Sequence, residues 1–130
     1  MFEWPFILDF WFGPLDNDGV PEKSYREQWF SVNRRFDWGL RRRFSSMVLL
    51  ASEEGLDHWR REPGGALAEI LLLDQFSRNI YRRTAMAFQN DPLAQRLARE
   101  GVERGDDTRL PLIQRACFYM PSQHAENRRV

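Results

Sequence analysis

Apolar side chains recur along most of this chain at spacings of three and four residues, and no five-residue stretch alternates strongly enough to compete as a strand. The first element this predicts runs from Pro5 to Phe12, a short, almost wholly apolar helix that Pro5 opens and Gly13-Pro14 stops. In the loop to Pro21, Asp16, Asp18 and Gly19 read as turn chemistry, since a calcium loop would need its glycine where Pro21 stands. Ser24 with Glu27 is a capping-box pattern opening a helix that carries Trp29 and Phe30. From about Asn33 to Glu54, Phe36, Leu40, Phe44, Met47 and Ala51 form one core-facing stripe, which Gly55 ends. Within it Asp37 and Arg41, four apart, read as a surface pair. Trp59 reads as a packing anchor under the following link. Asp91-Pro92 reads as cap and first residue of a helix to about Glu103, with Leu93, Leu97, Ala98 and Val102 facing inward. Leu110-Pro111 starts another helix, which Pro121 stops, and Ser122 caps a final helical turn or two.

One stretch departs from this amphipathic scheme. Leu67–Tyr81, introduced by Pro63-Gly64-Gly65, is apolar on nearly every side of a helical wheel, the pattern of a buried central helix over about residues 66–81. It nevertheless carries Asp74, Gln75, Arg78 and Asn79. A lone buried ion costs several kcal/mol even after relaxation, so Asp74 and Arg78, four apart, are expected to pair. The elements together predict an all-α single domain over residues 1–130, with about six or seven helices joined by short connections. The Trp, Gly and Tyr spacing of a roughly 34-residue tetratricopeptide repeat is absent.

Composition narrows the partners. Nineteen basic and nineteen acidic side chains give a net charge of zero, so nothing global draws the chain to nucleic acid or to an anionic membrane. The triplet Arg41-Arg42-Arg43 cannot converge on one anion from a helix, because consecutive side chains point about 100° apart. The one cysteine, Cys117, leaves no internal disulfide or thiolate zinc site and reads as a small buried hydrophobe. With no signal-peptide pattern and no apolar run of about 18 residues, the expectation is a cytoplasmic chain without a membrane span.

The ordered blocks Ile7-Leu-Asp-Phe-Trp-Phe-Gly13, Trp29-Phe30, Phe36-Asp37 with Arg41, Arg43 and Phe44, Leu72-Leu-Asp-Gln-Phe-Ser-Arg-Asn79, Ala87-Phe88 with Asp91, and Phe118-Tyr-Met-Pro121 with His124 and Glu126 resemble a bacterial family. It is the one catalogued as domain-of-unknown-function family 924. The resemblance implies an all-helical, tetratricopeptide-like array around the central helix and no established reaction. Three positions depart from it: Ser77 where the family has Pro, Arg83 where it has Gly, and Ala125 where it has Ser. Relative to the family, the chain is expected to be truncated at its C-terminus.

The polar residues that could converge are Asp74, Gln75, Arg78 and Asn79 on the central helix and His124 and Glu126 from the terminal segment. As a ligand site, Arg78 would meet an anionic group, Asp74 would orient Arg78, and His124 would titrate beside Glu126. As structure, they would tie helices and loops together inside the fold. The leading expectation is a binding module for a peptide or protein in a groove between helix pairs. The alternative is an enzyme or binder of a small anion at Asp74, Arg78 and His124, and surface left open by a missing segment would favour self-association. No cofactor and no metal site is expected, since Asp74, His124 and Glu126 have no spacing that fixes a coordination geometry.

Overall fold

The structure is a computed structural model that describes residues 2–129, without the side chains of residues 30 and 126–129. It is all-α. The helices are α1 (Trp4–Phe12), α2 (Lys23–Phe30), α3 (Arg34–Ser52), α4 (Pro63–Leu71), α5 (Ser77–Ile80), α6 (Asp91–Arg104), α7 (Leu112–Phe118) and α8 (Met120–Arg129). A π turn, Leu72–Phe76, joins α4 to α5, so the central helix runs on from Pro63 to Ile80. Every residue from Gly64 to Leu71 on it is buried.

The other elements pack around that helix because it offers apolar surface on every side. Helix α1 and the 3-10 turn Asp57–Arg61 lie against α4, α3 lies along the π turn and α5, and α6 and α7 close the far side. Short and apolar, α1 cannot stand alone; Ile7 and Phe12 are fully buried. Its Phe10 meets Phe44 of α3 edge-on at 4.9 Å, and Phe44 meets Phe76 at 5.1 Å. Trp11 stacks on Trp29 of α2, whose Nε1 donates to the Trp11 carbonyl oxygen at 3.0 Å. Leu40, Phe44, Met47 and Ala51 are buried as their spacing predicts, and Trp59 is buried under the link.

Element ends differ from expectation where local chemistry had two outlets. Helix α2 opens at Lys23, two residues before the capping-box reading allows a first turn to close, because the Glu22 carbonyl already accepts from Tyr25 and Arg26. Helix α3 ends at Ser52, and Glu54, not Gly55, takes the left-handed φ of 60°. Pro121 does not stop a helix but lies in the first turn of α8, where a missing N–H is harmless. On α6 the buried residues are Asp91, Ala94, Leu97, Ala98 and Gly101, while Val102 is exposed. Asp16 Oδ1 accepts from the Asp18 and Val20 amides at 2.9 Å, the Asx turn expected of that loop.

Gly65 lets two backbones approach closely: a Cβ there would lie 2.2 Å from the Trp59 carbonyl oxygen. Gly65→Ala is therefore expected to lower stability by about 1–3 kcal/mol in urea unfolding, and an unchanged midpoint would show that the approach can relax.

Candidate functional site

The π turn places Asp74 on the side of the central helix that faces α6 and α8. The residue is 1% exposed, and its Oδ1 accepts from Arg78 Nε at 2.9 Å. His124 Nδ1 lies 2.9 Å from the same oxygen. A carboxylate can only accept, so Nδ1 carries the hydrogen. Asp74 Oδ2 is buried with no hydrogen-bond partner among the described residues. Arg78 reaches a second acid, donating through its terminal nitrogen to Asp91 Oδ2 at 2.9 Å, and its guanidinium lies 5.1 Å from the Phe88 ring centroid. Asp91 was expected as a helix cap; instead its side chain turns inward to the cation, and Asn90 stands at the cap position without a side-chain cap bond. Ser77, fully buried, donates to the Leu72 carbonyl at 3.0 Å and accepts from Asn90 Nδ2 at 3.2 Å.

One residue past Arg78 the helix turns about 100°, and Asn79 faces α3 instead. Its Nδ2 donates to Asp37 Oδ1 at 3.1 Å, and Arg82 Nε donates to Asp37 Oδ2 at 2.8 Å. The expected Asp37–Arg41 pair does not form, because Arg82 reaches the carboxylate from the far end of the central helix. These residues floor a cavity of about 400 Å³ whose walls include Arg34, Trp38 and Arg41 of α3 and Arg82 and Arg83 of the turn after α5. Arg83 holds φ at 68°, a left-handed conformation that costs a non-glycine residue about 1–2 kcal/mol. Glycine would take that conformation freely.

Of the six expected site residues, Asp74, Arg78 and His124 are therefore brought together, and Asn79 belongs to a different cluster. Gln75 is half-buried with no side-chain hydrogen bond among the described residues. The Glu126 side chain lies outside the described residues. None of the cavities described includes Asp74, Arg78 or His124 in its walls. The consecutive arginines of α3 diverge as expected: Arg41 lines the cavity, Arg42 lies over the Trp38 ring at 4.8 Å, and Arg43 lies 5.8 Å from the Phe10 centroid. Among the described residues, no group of three or more His, Cys, Asp and Glu side chains is disposed to hold a metal ion.

A third tie gave no sequence signal that was read. Glu69 is fully buried in α4, and Arg60 grips it with two hydrogen bonds of 2.9 and 2.8 Å. Burial pushes the Glu69 carboxyl upward, and the guanidinium opposes the shift. An acid nine residues from an arginine, inside an apolar stretch, was the available clue.

Arg78 stands between two buried carboxylates, so its removal takes a charged partner from both at once. Arg78→Met is expected to cost about 3–5 kcal/mol in chemical unfolding, whereas Asp74→Asn, which leaves the Asp91 bond intact, costs about 1.5–3 kcal/mol. Equal costs would contradict the bridging role. Burial, with the Asp74 charge nearby, pushes the Cys117 thiol up to about 12 from 9.0. At neutral pH, iodoacetamide should modify Cys117 roughly a thousandfold more slowly in the folded than in the urea-unfolded chain, and comparable rates would refute this.

Comparison with known proteins agrees with this architecture. A solved protein of unknown function from Agrobacterium tumefaciens superposes with a TM-score of 0.82 at 36% sequence identity, over 95% of this chain and 64% of that protein. The chain thus spans somewhat less than two thirds of that protein's length. No curated protein matches. The sequence profile described as "Bacterial protein of unknown function (DUF924)" matches residues 7–130. The blocks quoted from Ile7 to Glu126, the all-helical structure and this match have one meaning: the chain belongs to the bacterial DUF924 family.

Proposed function

We propose that this chain is a binding module of tetratricopeptide-like arrangement, and that its ligand or partner lies in the groove between the N-terminal half of α3 and the turn after α5. The observation that carries the reading is the cavity of about 400 Å³ shared by these two elements, with an indole 60% exposed on its wall. Sites for small ligands are concave, a few hundred Å³ in size, and combine apolar walls with a few placed polar groups. Here Val32, Trp38 and Ile80 supply the first, and Asn79 and the arginines supply the second. In this reading Asp74, Arg78, Asp91 and His124 hold the scaffold rigid behind the groove.

A second reading places a small-ligand or catalytic site at Asp74, Arg78 and His124. It is favoured by the unpartnered Oδ2 of Asp74 beside the His124 ring. The imidazole would then take or give a proton through Nε2 while Asp74 fixes the ring. Half-buried at 19% side-chain exposure, His124 would first have to be reached by substrate.

Ligands that raise the unfolding midpoint in a screen of peptides and small molecules distinguish the two readings, since specific binding stabilises the folded state. They are expected to shift the indole N–H resonance of Trp38 and to lose their effect in Trp38→Leu. Ligands that stabilise the protein while shifting only His124 would overturn the groove reading in favour of the second.

A further inference from the structure

Three guanidiniums border the α3 groove with no acid to answer them. Arg34 and Arg41 lie two turns apart on α3, and Arg83 lies on the opposing turn. Their guanidiniums take part in no ion pair or hydrogen bond among the described residues, while Arg82 is held by Asp37. Arg60, Arg78, Arg96, Arg104 and Arg115 each lie against a carboxylate; other surface arginines also lack one among the described residues, but Arg34, Arg41 and Arg83 border a single cavity. With no anion bound, the arrangement is unfavourable twice over. Four arginines and one acid, Asp37, line one cavity, and Arg83 occupies a backbone conformation that glycine would take freely. Backbone strain of this kind collects at ligand clamps. A bound anion would remove the first penalty and give the second a use.

The rest of the wall says what the anion carries. Trp38 lines the groove and is 60% exposed, with Arg42 over its ring, and Val32 and Ile80 add apolar surface beside it. Guanidinium forks suit phosphate oxygens, and an indole face suits a planar ring. We propose that the cavity binds a ring-bearing phosphate monoester of mononucleotide type, with its phosphate among Arg34, Arg41 and Arg83 and its ring on Trp38. A cavity of about 400 Å³ takes one such molecule. The proposal rests on the groove being the binding face and adds the chemistry of the ligand.

The test is isothermal titration calorimetry with adenosine monophosphate, adenosine and inorganic phosphate. Adenosine monophosphate should bind, with the other two at least about tenfold weaker because each keeps only half of the contacts. The affinity should fall as salt is raised. Arg34→Gln with Arg41→Gln, Arg83→Gly and Trp38→Leu should each weaken it by about tenfold or more. Arg83→Gly is the decisive variant, since it should lose ligand while its unfolding midpoint stays or rises, an outcome a merely structural arginine would not give. No heat from adenosine monophosphate at concentrations on the order of ten millimolar, or equal affinity in all variants, overturns the proposal. Tighter binding of a single-stranded oligonucleotide through the same arginines overturns it in favour of nucleic acid. If neutral compounds shift Trp38 and adenosine monophosphate does not, the ligand chemistry is wrong and the groove reading stands; if no stabilising compound shifts Trp38, both fall.

Discussion

A carboxylate taken out of water must be met by a cation and hydrogen bonds, or the fold loses several kcal/mol, a large part of a small domain's stability. In this chain Glu69, Asp74 and Asp91 are all buried, and two arginines, Arg60 and Arg78, meet them. Arg60 joins the 3-10 turn to α4, and Arg78 joins the central helix to α6. His124 brings α8 to the same carboxylate as Arg78. These contacts tie the surrounding elements to the apolar central helix at defined points. Apolar burial supplies most of the stability, and the buried charges choose the arrangement.

The same helix presents two polar faces with different characters. Toward α6 and α8 the charges are enclosed, acid against base, and none of the cavities described has Asp74, Arg78 or His124 in its walls. Toward α3, past the turn after α5, the matching stops at Asp37 and Arg82, and the remaining arginines stand over open space. Matched and buried is the pattern of structure; unmatched and open is the pattern of recognition. That contrast is why the binding face is proposed at α3 and not around Asp74 and Arg78.

Periodicity carried the all-α class, the core stripe of α3 and the burial of the central helix, because those follow from spacing within one element. The Asp74–Arg78 pair was legible for the same reason, both residues lying on one helix face. What escaped were partners set by tertiary approach. Asp37 takes Arg82, 45 residues away, over Arg41 four residues away. Asp91 has the composition of a cap but the position of a counter-ion. Pro121 is equally at home after a helix and in its first turn, so local sequence could not decide. The α3 groove was invisible for a related reason: Arg34, Arg41 and Arg83 become neighbours only when α3 packs on α5, and Arg83 carried a signal only as an arginine in place of glycine.

The measurement that bears most directly on this account is a double-mutant cycle between Arg78 and Asp91, read by urea unfolding of the single and double variants. If the pair bridges the central helix to α6 inside the fold, the coupling energy should be about 1.5–3 kcal/mol, with the double variant less destabilised than the two single losses added together. A coupling near zero would mean that the buried charges do not hold these helices together, and the central claim would fail.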